Sequence, residues 1–272
     1  MDTQLKTFIK VEQGDFVVPI KEACEREGGY SEAYPIGFPI FDRAMKVKDQ
    51  PRGGVRDGDL VILTGLSGRG KTTYAMNITK NFLDEGIFSL WFSYEVIVDN
   101  LYAKFKEMGI ETEDDLIYTP KKNISGATNW IGKKIKEAKE KYCVKMIFID
   151  HLDFLSSLNN NKSDQRRIML GDICQELRTI AINQKVIIFL IAHVRKIANR
   201  EVEMQDISES SKIYQLADYV FSVDRNFDIE VDNHKRVITN NNRGIVKILK
   251  NRLTGEFPFM NFRLVNNIIK PI

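Results

Sequence analysis

The apolar residues of this chain gather in short runs set between segments of helical period. Positions 60–63, 88–94, 144–149 and 186–192 are almost continuously apolar, as strands covered on both faces must be. Between them, 73–83 places Ala75, Met76, Ile78, Phe82 and Leu83 on a helical spacing, and 99–108, 129–141 and 165–182 read as further helices. Strands at 219–223, 245–250 and 259–264 complete the pattern, with a shorter one at 116–118. Such alternation predicts an α/β fold of the doubly wound class, a mostly parallel twisted sheet flanked by helices. The first convincing period is 38–45, so residues 1–34 read as an arm or linker and 35–272 as one domain. The asparagine tracts 159–161 and 240–242 read as exposed loops.

One junction in this pattern carries chemistry. Between the strand at 60–63 and the helix at 73–83, positions 65–72 read G-L-S-G-R-G-K-T, the spacing G-x-x-x-x-G-K-S/T of a phosphate-binding loop. Gly65 and Gly70 let backbone N–H groups turn toward phosphate oxygens, Lys71 reaches the β and γ oxygens, and the Thr72 hydroxyl ligates Mg²⁺. The following helix adds the positive end of its dipole. Gly65, Ser67, Gly68, Gly70, Lys71, Thr72 and Thr73 are therefore the expected contacts of ATP or another nucleoside triphosphate.

Two carboxylates at strand ends extend this site. The run M-I-F-I-D at 146–150 delivers Asp150 at its C-terminal end, where open α/β sheets bind ligands, and Asp150 can join Thr72 around Mg²⁺. Glu95 closes the neighbouring run in F-S-Y-E at 92–95. A carboxylate there can orient or deprotonate the water that attacks a γ-phosphate; it can equally open the next helix as a residue stabilised by the dipole.

Composition narrows the class. With 43% hydrophobic residues over 272 positions, the chain can bury one sizeable core. A formal net charge of +3 is too small to require an anionic partner. Cys24, Cys143 and Cys174 form no C-x-x-C pair, so neither a zinc module nor a disulfide framework is indicated. No apolar run reaches the length of a membrane span, and the start lacks a signal-peptide pattern. The expectation is a cytoplasmic protein without a membrane partner, in the host cytoplasm if phage-encoded.

Taken together, the motifs resemble those of the DnaB-like hexameric replicative helicases, including the phage helicase-primase and mitochondrial Twinkle-like members, whose motor is a RecA-like ATPase domain. F-S-Y-E at 92–95 is similar to that family's F-S-L-E motif, which implies that Glu95 is the catalytic base. I-D-H-L at 149–152 resembles its I-D-Y-L or I-D-H-I motif and implies Asp150 at the Mg²⁺. I-A-H-V-R at 191–195 resembles the strand-end motif whose Gln or His senses the γ-phosphate, a role that falls to His193. L-K-N-R-L-T-G at 249–255 resembles the K-x-R segment, implying that Lys250 and Arg252 reach the ATP of an adjacent subunit; without the family it is a basic strand end before a turn. An arginine finger neutralises transition-state charge and contributes about 10³–10⁵ in rate. Arg225 and Phe262 fall where the phage members place an arginine and an aromatic around the nucleotide base.

This resemblance covers roughly residues 35–270 and has two departures. D-I-S-E-S-S at 206–211 stands where the family has D-L-R-E/G-S-G, so Ser208 replaces an arginine and Ser211 a glycine. The length also leaves no room for a primase or for the helical N-terminal domain of bacterial members. What the resemblance implies is a homo-oligomer, a hexameric ring, that uses ATP and Mg²⁺ to travel on single-stranded DNA and unwind forked duplex DNA in replication. A separate primase, polymerase or loader is the candidate partner. Lys162, Arg166 and Arg167 after Asp150, and Arg195, Lys196 and Arg200 after His193, are candidate DNA phosphate contacts, although half-basic loops are commonly just solvated. G-F-P-I-F-D at 37–42 also resembles the opening of the wider RecA, RadA and KaiC-like group, which keeps a recombination or signalling ATPase open. A non-catalytic DNA-binding loader module is a third reading, opposed by the joint presence of Lys71, Glu95, Asp150 and Arg252.

Overall fold

A computed structural model describes residue 20 and residues 32–110, 117–121, 128–156, 163–193, 211–232 and 235–272. The chain divides into two units, Met1–Glu32 and Ala33–Ile272, and the second carries all that follows. Its centre is β3 (Leu60–Gly65), buried along its whole length. β7 (Ile187–His193) and β8 (Tyr219–Asp232) flank β3 in parallel. β6 (Met146–Asp150), β4 (Ser89–Ser93) and β5 (Ile117–Tyr118) continue the parallel set beyond β7. On the far side of β8, β9 (Lys235–Asn251), β10 (Phe259–Val265) and β11 (Ile268–Pro271) run antiparallel. The resulting nine-stranded sheet has the order β11-β10-β9-β8-β3-β7-β6-β4-β5. A separate pair joins β1 (Ala33–Tyr34) to β2 (Val55–Arg56).

Because side chains alternate across a strand, each strand serves both faces of the sheet. Val61, Leu63, Trp91, Phe148 and Phe189 point to one face, where α1 (Pro39–Ala44), α2 (Lys71–Asp84) and α3 (Val98–Glu107) cover them with Phe41, Tyr74, Ile78, Phe82, Leu101 and Phe105. Leu60, Ile62, Phe92, Ile149 and Leu190 point to the other. There α4 (Thr128–Tyr142), α5 (Leu152–Ser156), α6 (Ser163–Gln184) and α7 (Ser211–Leu216) contribute Ile131, Ile135, Leu155, Cys174, Leu177 and Ile213. The rings of Trp91, Phe148 and Phe189 stack at centroid distances of 4.8 Å, the lateral spacing of the strands that bear them. Trp91 Nε1 donates to Thr79 Oγ1 at 3.1 Å, pinning α2 to this stack. Among the described residues no helix is long and apolar enough to cross a membrane.

The predicted elements are present with shifted ends. The helix expected at 73–83 begins at Lys71, and that expected at 165–182 spans Ser163–Gln184. A larger difference lies in β8 and β9, which continue past 223 and begin before 245 as one paired ribbon. Asn240–Asn242 therefore belong to a strand and not to a loop, with Asn240 opposite Phe227. Ladder bonds are made by the backbone, which polar side chains do not prevent. The tract 159–161 lies outside the described residues.

Asp218, just before β8, ties the sheet to the helical layer. It accepts the Leu60 N–H at 3.0 Å and both Arg178 Nη groups at 2.6 and 3.0 Å, while Arg252 Nη1 stands 3.5 Å away. Nearby, Asp59 accepts the Arg56 N–H at 2.7 Å. Burial, with the Asp218 charge adding to it, pushes the Asp59 carboxyl up to about 7.

Asp218→Ala strands a largely buried guanidinium and a strand N–H, so urea unfolding should show a loss of about 3–5 kcal/mol. Arg252→Ala removes a side chain that is 58% exposed and should cost less than about 1 kcal/mol. Equal losses would remove Asp218 as the clamp. Asp59 has a second consequence: the folded chain keeps its proton up to about 7, whereas the ordinary carboxyl value is 3.8. Its contribution to stability is complete below that ordinary value and is lost as pH rises through about 7. Thermal midpoints measured across this window should fall less steeply with pH in Asp59→Asn than in the parent.

Candidate functional site

β3 ends at Gly65 and the chain turns through a loop into α2 at Lys71. Gly65 has φ 146°, and a Cβ there would lie 2.3 Å from the Val223 carbonyl oxygen, so neither the backbone nor the space admits a side chain. Gly70, at φ 94°, caps α2 in the left-handed region without any side-chain cap bond. The first backbone N–H groups of α2 are thus left to an anion rather than to a capping oxygen. Lys71 folds over the loop, its buried ammonium donating to the carbonyls of Gly65 at 3.0 Å and Leu66 at 2.9 Å. Ser67 and Gly68 form the exposed crest, while Thr72 and Thr73 are half-buried in the first turn of the helix.

Thr72 Oγ1 donates to Asp150 Oδ2 at 2.8 Å, joining the start of α2 to the end of β6. Asp150 is fully buried, and its Oδ1 has no hydrogen-bond partner among the described residues. Burial raises its carboxyl above the ordinary range, with the Thr72 hydroxyl opposing and the Glu95 charge adding. A buried carboxylate with one oxygen unbonded, beside a hydroxyl, is an oxygen donor set that fits Mg²⁺.

Three neighbouring strands deliver the next groups. In β4, β6 and β7, Ser93 lies opposite Asp150 and Asp150 opposite Ile191, so residues just past these ends converge. Glu95 Oε2 is 3.8 Å from His151 Nε2 and 4.0 Å from His193 Nε2. The Tyr94 and Glu95 N–H groups both donate to the Asp150 carbonyl, at 2.7 and 3.3 Å, which fixes the approach of Glu95. α3 begins only at Val98, with Ile97 as its cap residue. The helix-opening reading of Glu95 is therefore corrected: the carboxylate precedes the helix and faces two histidines. His193 closes the group from the end of β7, opposite Gly65.

Arg225 flanks the loop from β8. A Cβ on Gly70 would lie 2.8 Å from its Cδ, and Arg69 Nη1 donates to its carbonyl. Phe262 stands in the same row of the sheet, through Gly244, but the expectation of a base contact is corrected. Its ring is 1% exposed and fills the slot left by Gly244, where a Cβ would meet Phe262 Cζ at 2.4 Å. No face of that ring is open to a base.

Lys250 and Arg252 lie at the opposite end of the strands, where β3 begins. Asn251 pairs with Tyr219, and Tyr219 with Val61 near the start of β3, whereas the phosphate loop follows its end. At about 3.3 Å per residue, the intervening strand separates them by roughly 15 Å. Lys250 Nζ donates to the carbonyls of Tyr214 and Gln215 at 2.7 and 3.0 Å. Lys162, Arg195, Lys196, Arg200 and Ser208 lie outside the described residues. Arg166 and Arg167 belong to α6 and not to a loop, with their side chains outside the described set.

Residues 99–268 match the sequence model of the DnaB-like helicase C-terminal domain. This chain belongs to that family. The match begins beyond the phosphate loop, so the reading of 65–72 stands on the motif and the geometry above. The replicative DNA helicase DnaC of Bacillus subtilis is 28% identical over 249 residues, covering 79% of this chain and 52% of that protein. The replicative DNA helicase DnaB of Geobacillus stearothermophilus is 26% identical over 232 residues, covering 73% and 48%. This DnaB-like domain thus spans about half the length of the curated relatives it matches. Among solved structures, a DnaB-like replicative helicase studied for its interactions with primase superposes with a TM-score of 0.67 at 18% identity, covering 92% of this chain and 64% of that one. A KaiC-like protein from Pyrococcus horikoshii gives 0.64 at 18% identity, covering 89% and 100%. The shared fold is RecA-like.

Sequence reasoning gave no role to His151, although it stands inside the I-D-H-L motif, one residue past the strand end that delivers Asp150. The Arg69 contact with β8 joins distant segments and has no sequence signal.

With a fluorescent ATP analogue, Lys71→Ala should show no binding at concentrations that saturate the parent. Glu95→Gln should bind within about threefold of the parent yet hydrolyse ATP about 10²–10⁴-fold more slowly. Parent-like hydrolysis by Glu95→Gln, at saturating Mg²⁺ and DNA, would remove Glu95 as the base.

Proposed function

We propose that this chain is the motor of an ATP-dependent replicative DNA helicase, which assembles head to tail into a ring, a hexamer by resemblance, and travels on single-stranded DNA to part a duplex. The observation that carries the reading is the division of the site between the two ends of the sheet's strands. The phosphate loop, Asp150, Glu95 and His193 gather at the ends of β3, β6, β4 and β7, while Arg252 projects from the end where β3 begins. A roughly 15 Å strand separation keeps Arg252 from its own loop, so its use in catalysis requires a second copy. Leu253, Phe257 and Phe259 are 41%, 60% and 57% exposed beside it, an apolar surface suited to such a contact.

In this reading the α2 N-terminus and Lys71 hold the β and γ phosphates. Thr72 and Asp150 are the residues that would hold Mg²⁺, whose chemistry is to neutralise charge developing on the phosphate oxygens. Glu95 takes a proton from the attacking water, His193 reads the γ-phosphate, and Arg225 stands on the loop's far flank. Arg252 of one subunit, with Lys250 behind it, completes the site of the next. Lys162, Arg166, Arg167, Arg195, Lys196 and Arg200 remain the proposed DNA contacts, and a primase, polymerase or loader the proposed partner.

Arg252→Ala and Glu95→Gln proteins should each be nearly inactive alone and recover part of the ATPase rate when mixed, because some interfaces then pair an intact arginine with an intact glutamate. Subunit exchange is verified by fluorescence transfer at concentrations where oligomers persist. With exchange proven, no recovery at any mixing ratio overturns action between subunits. Displacement of a labelled strand from a forked duplex separates a helicase from a strand-pairing or signalling ATPase of the same fold.

A further inference from the structure

We propose that Glu95, His151 and His193 form a binding site for a divalent transition metal of the Zn²⁺ class, separate from the Mg²⁺ position at Thr72 and Asp150, and that its occupancy arrests hydrolysis. One ligand atom from each of the three residues lies within 4.8 Å of the others. The two measured carboxylate-to-imidazole distances are 3.8 and 4.0 Å, and the imidazole rings meet edge to face at 4.4 Å between centroids. Two metal–ligand bonds of about 2.1 Å at a tetrahedral angle span about 3.4 Å. The two carboxylate-to-imidazole distances exceed this span by about 0.4 and 0.6 Å, and the third pair lies within 4.8 Å, so side-chain adjustment draws the three donors toward one ion.

The donors decide the class of ion. Two imidazole nitrogens and one carboxylate oxygen suit Zn²⁺ and its borderline neighbours, whereas Mg²⁺ prefers oxygen alone. Thr72 and Asp150 offer that oxygen set, so the two positions sort ions by chemistry. The scaffold is rigid: the three ligands extend from adjacent parallel strands whose register is fixed by backbone ladders. Access differs across the set, since the side chains of His151 and His193 are 11% and 21% exposed while that of Glu95 is 43% exposed. Two sheltered nitrogens and one open carboxylate leave a side for an ion to enter and for a fourth ligand, water, to complete the shell.

Metal binding stands on this geometry alone; the arrest of hydrolysis rests also on the proposed role of Glu95. A carboxylate whose oxygen is bound to a metal is a poor proton acceptor, and His193 is withdrawn from the γ-phosphate by the same event.

The test uses the full chain without nucleotide, titrated with Co²⁺ as a spectroscopic stand-in for Zn²⁺. The expected result is one Co²⁺ per chain with the visible absorption of a low-coordinate nitrogen and oxygen site, no thiolate charge-transfer band, and displacement by Zn²⁺. His151→Ala and His193→Ala should each weaken binding by at least about tenfold, and His234→Ala should not. Because either substitution can disturb folding, the parent is also treated with diethyl pyrocarbonate and mapped by mass spectrometry. Zn²⁺ should lower the modification of His151 and His193 relative to the metal-free chain. Absence of the Co²⁺ spectrum, absence of shielding, or binding that survives both histidine substitutions overturns the site. ATP hydrolysis in excess Mg²⁺ should fall by about 10²-fold on Zn²⁺ addition and return with a chelator; unchanged hydrolysis with the site occupied overturns the arrest. A parent without ATPase activity sinks the proposed function while the spectrum and the mapping still report on the site.

Discussion

Everything at the candidate site depends on the register of four parallel strands. Gly65 faces His193 across β3 and β7, Asp150 faces Ser93 across β6 and β4, and the Thr72 hydroxyl reaches Asp150 between the two pairs. A slip of one residue in any of these ladders would turn that strand's apolar set to the wrong face. The two cores, which alternate residue by residue through Leu60, Val61, Ile62 and Leu63, therefore hold the strand ends in place as firmly as they hold the sheet. The geometry of the candidate site is in this sense a by-product of two-sided burial.

The electrostatics follow from the same arrangement. Asp150 is removed from water, which raises the cost of charging it, and the Glu95 carboxylate brought close to it adds to that cost. Lys71 donates to the loop carbonyls, and its charge only partly opposes the cost of burying the Asp150 carboxylate. A cation, whether held by oxygen or by nitrogen donors, relieves this cost. At the other end of the strands the problem is reversed. Arg178, Arg252 and Lys250 crowd around one acid, Asp218, and the Arg252 charge helps to push the Lys250 ammonium below its ordinary range after burial has begun the shift.

The strand, loop and helix around Gly65–Thr72 are legible in the sequence because glycine positions and apolar runs report local constraints directly. Asp150 and Glu95 are legible as strand-end carboxylates for the same reason. The ribbon of β8 and β9 shows a different failure: Phe227, Ile229 and Val231 alternate with Asp228, Glu230 and Asp232, a period-two signal that an emphasis on continuous apolar runs passes over. Phe262 is misplaced because a motif position names a row of the sheet but not whether a glycine opposite, here Gly244, draws the ring inward. The Asp218 clamp and the pairing of His151 with Glu95 join residues far apart in the chain. No periodicity encodes such contacts, and only the folded sheet brings them together.

A sheet with its anion cradle at one end of its strands and its exposed guanidinium at the other gives the molecule a direction, as a plug and socket do. In the proposed head-to-tail assembly, the arginine end of each copy meets the cradle end of the next. In an open stack the terminal copies differ from the rest: one offers a guanidinium to nothing, and the other keeps a cradle that nothing completes. Every break in such a stack removes one joined pair, and closing the stack on itself restores it. Under the proposed action of Arg252 between copies, the count of complete sites would measure the topology of the assembly rather than the amount of protein in it.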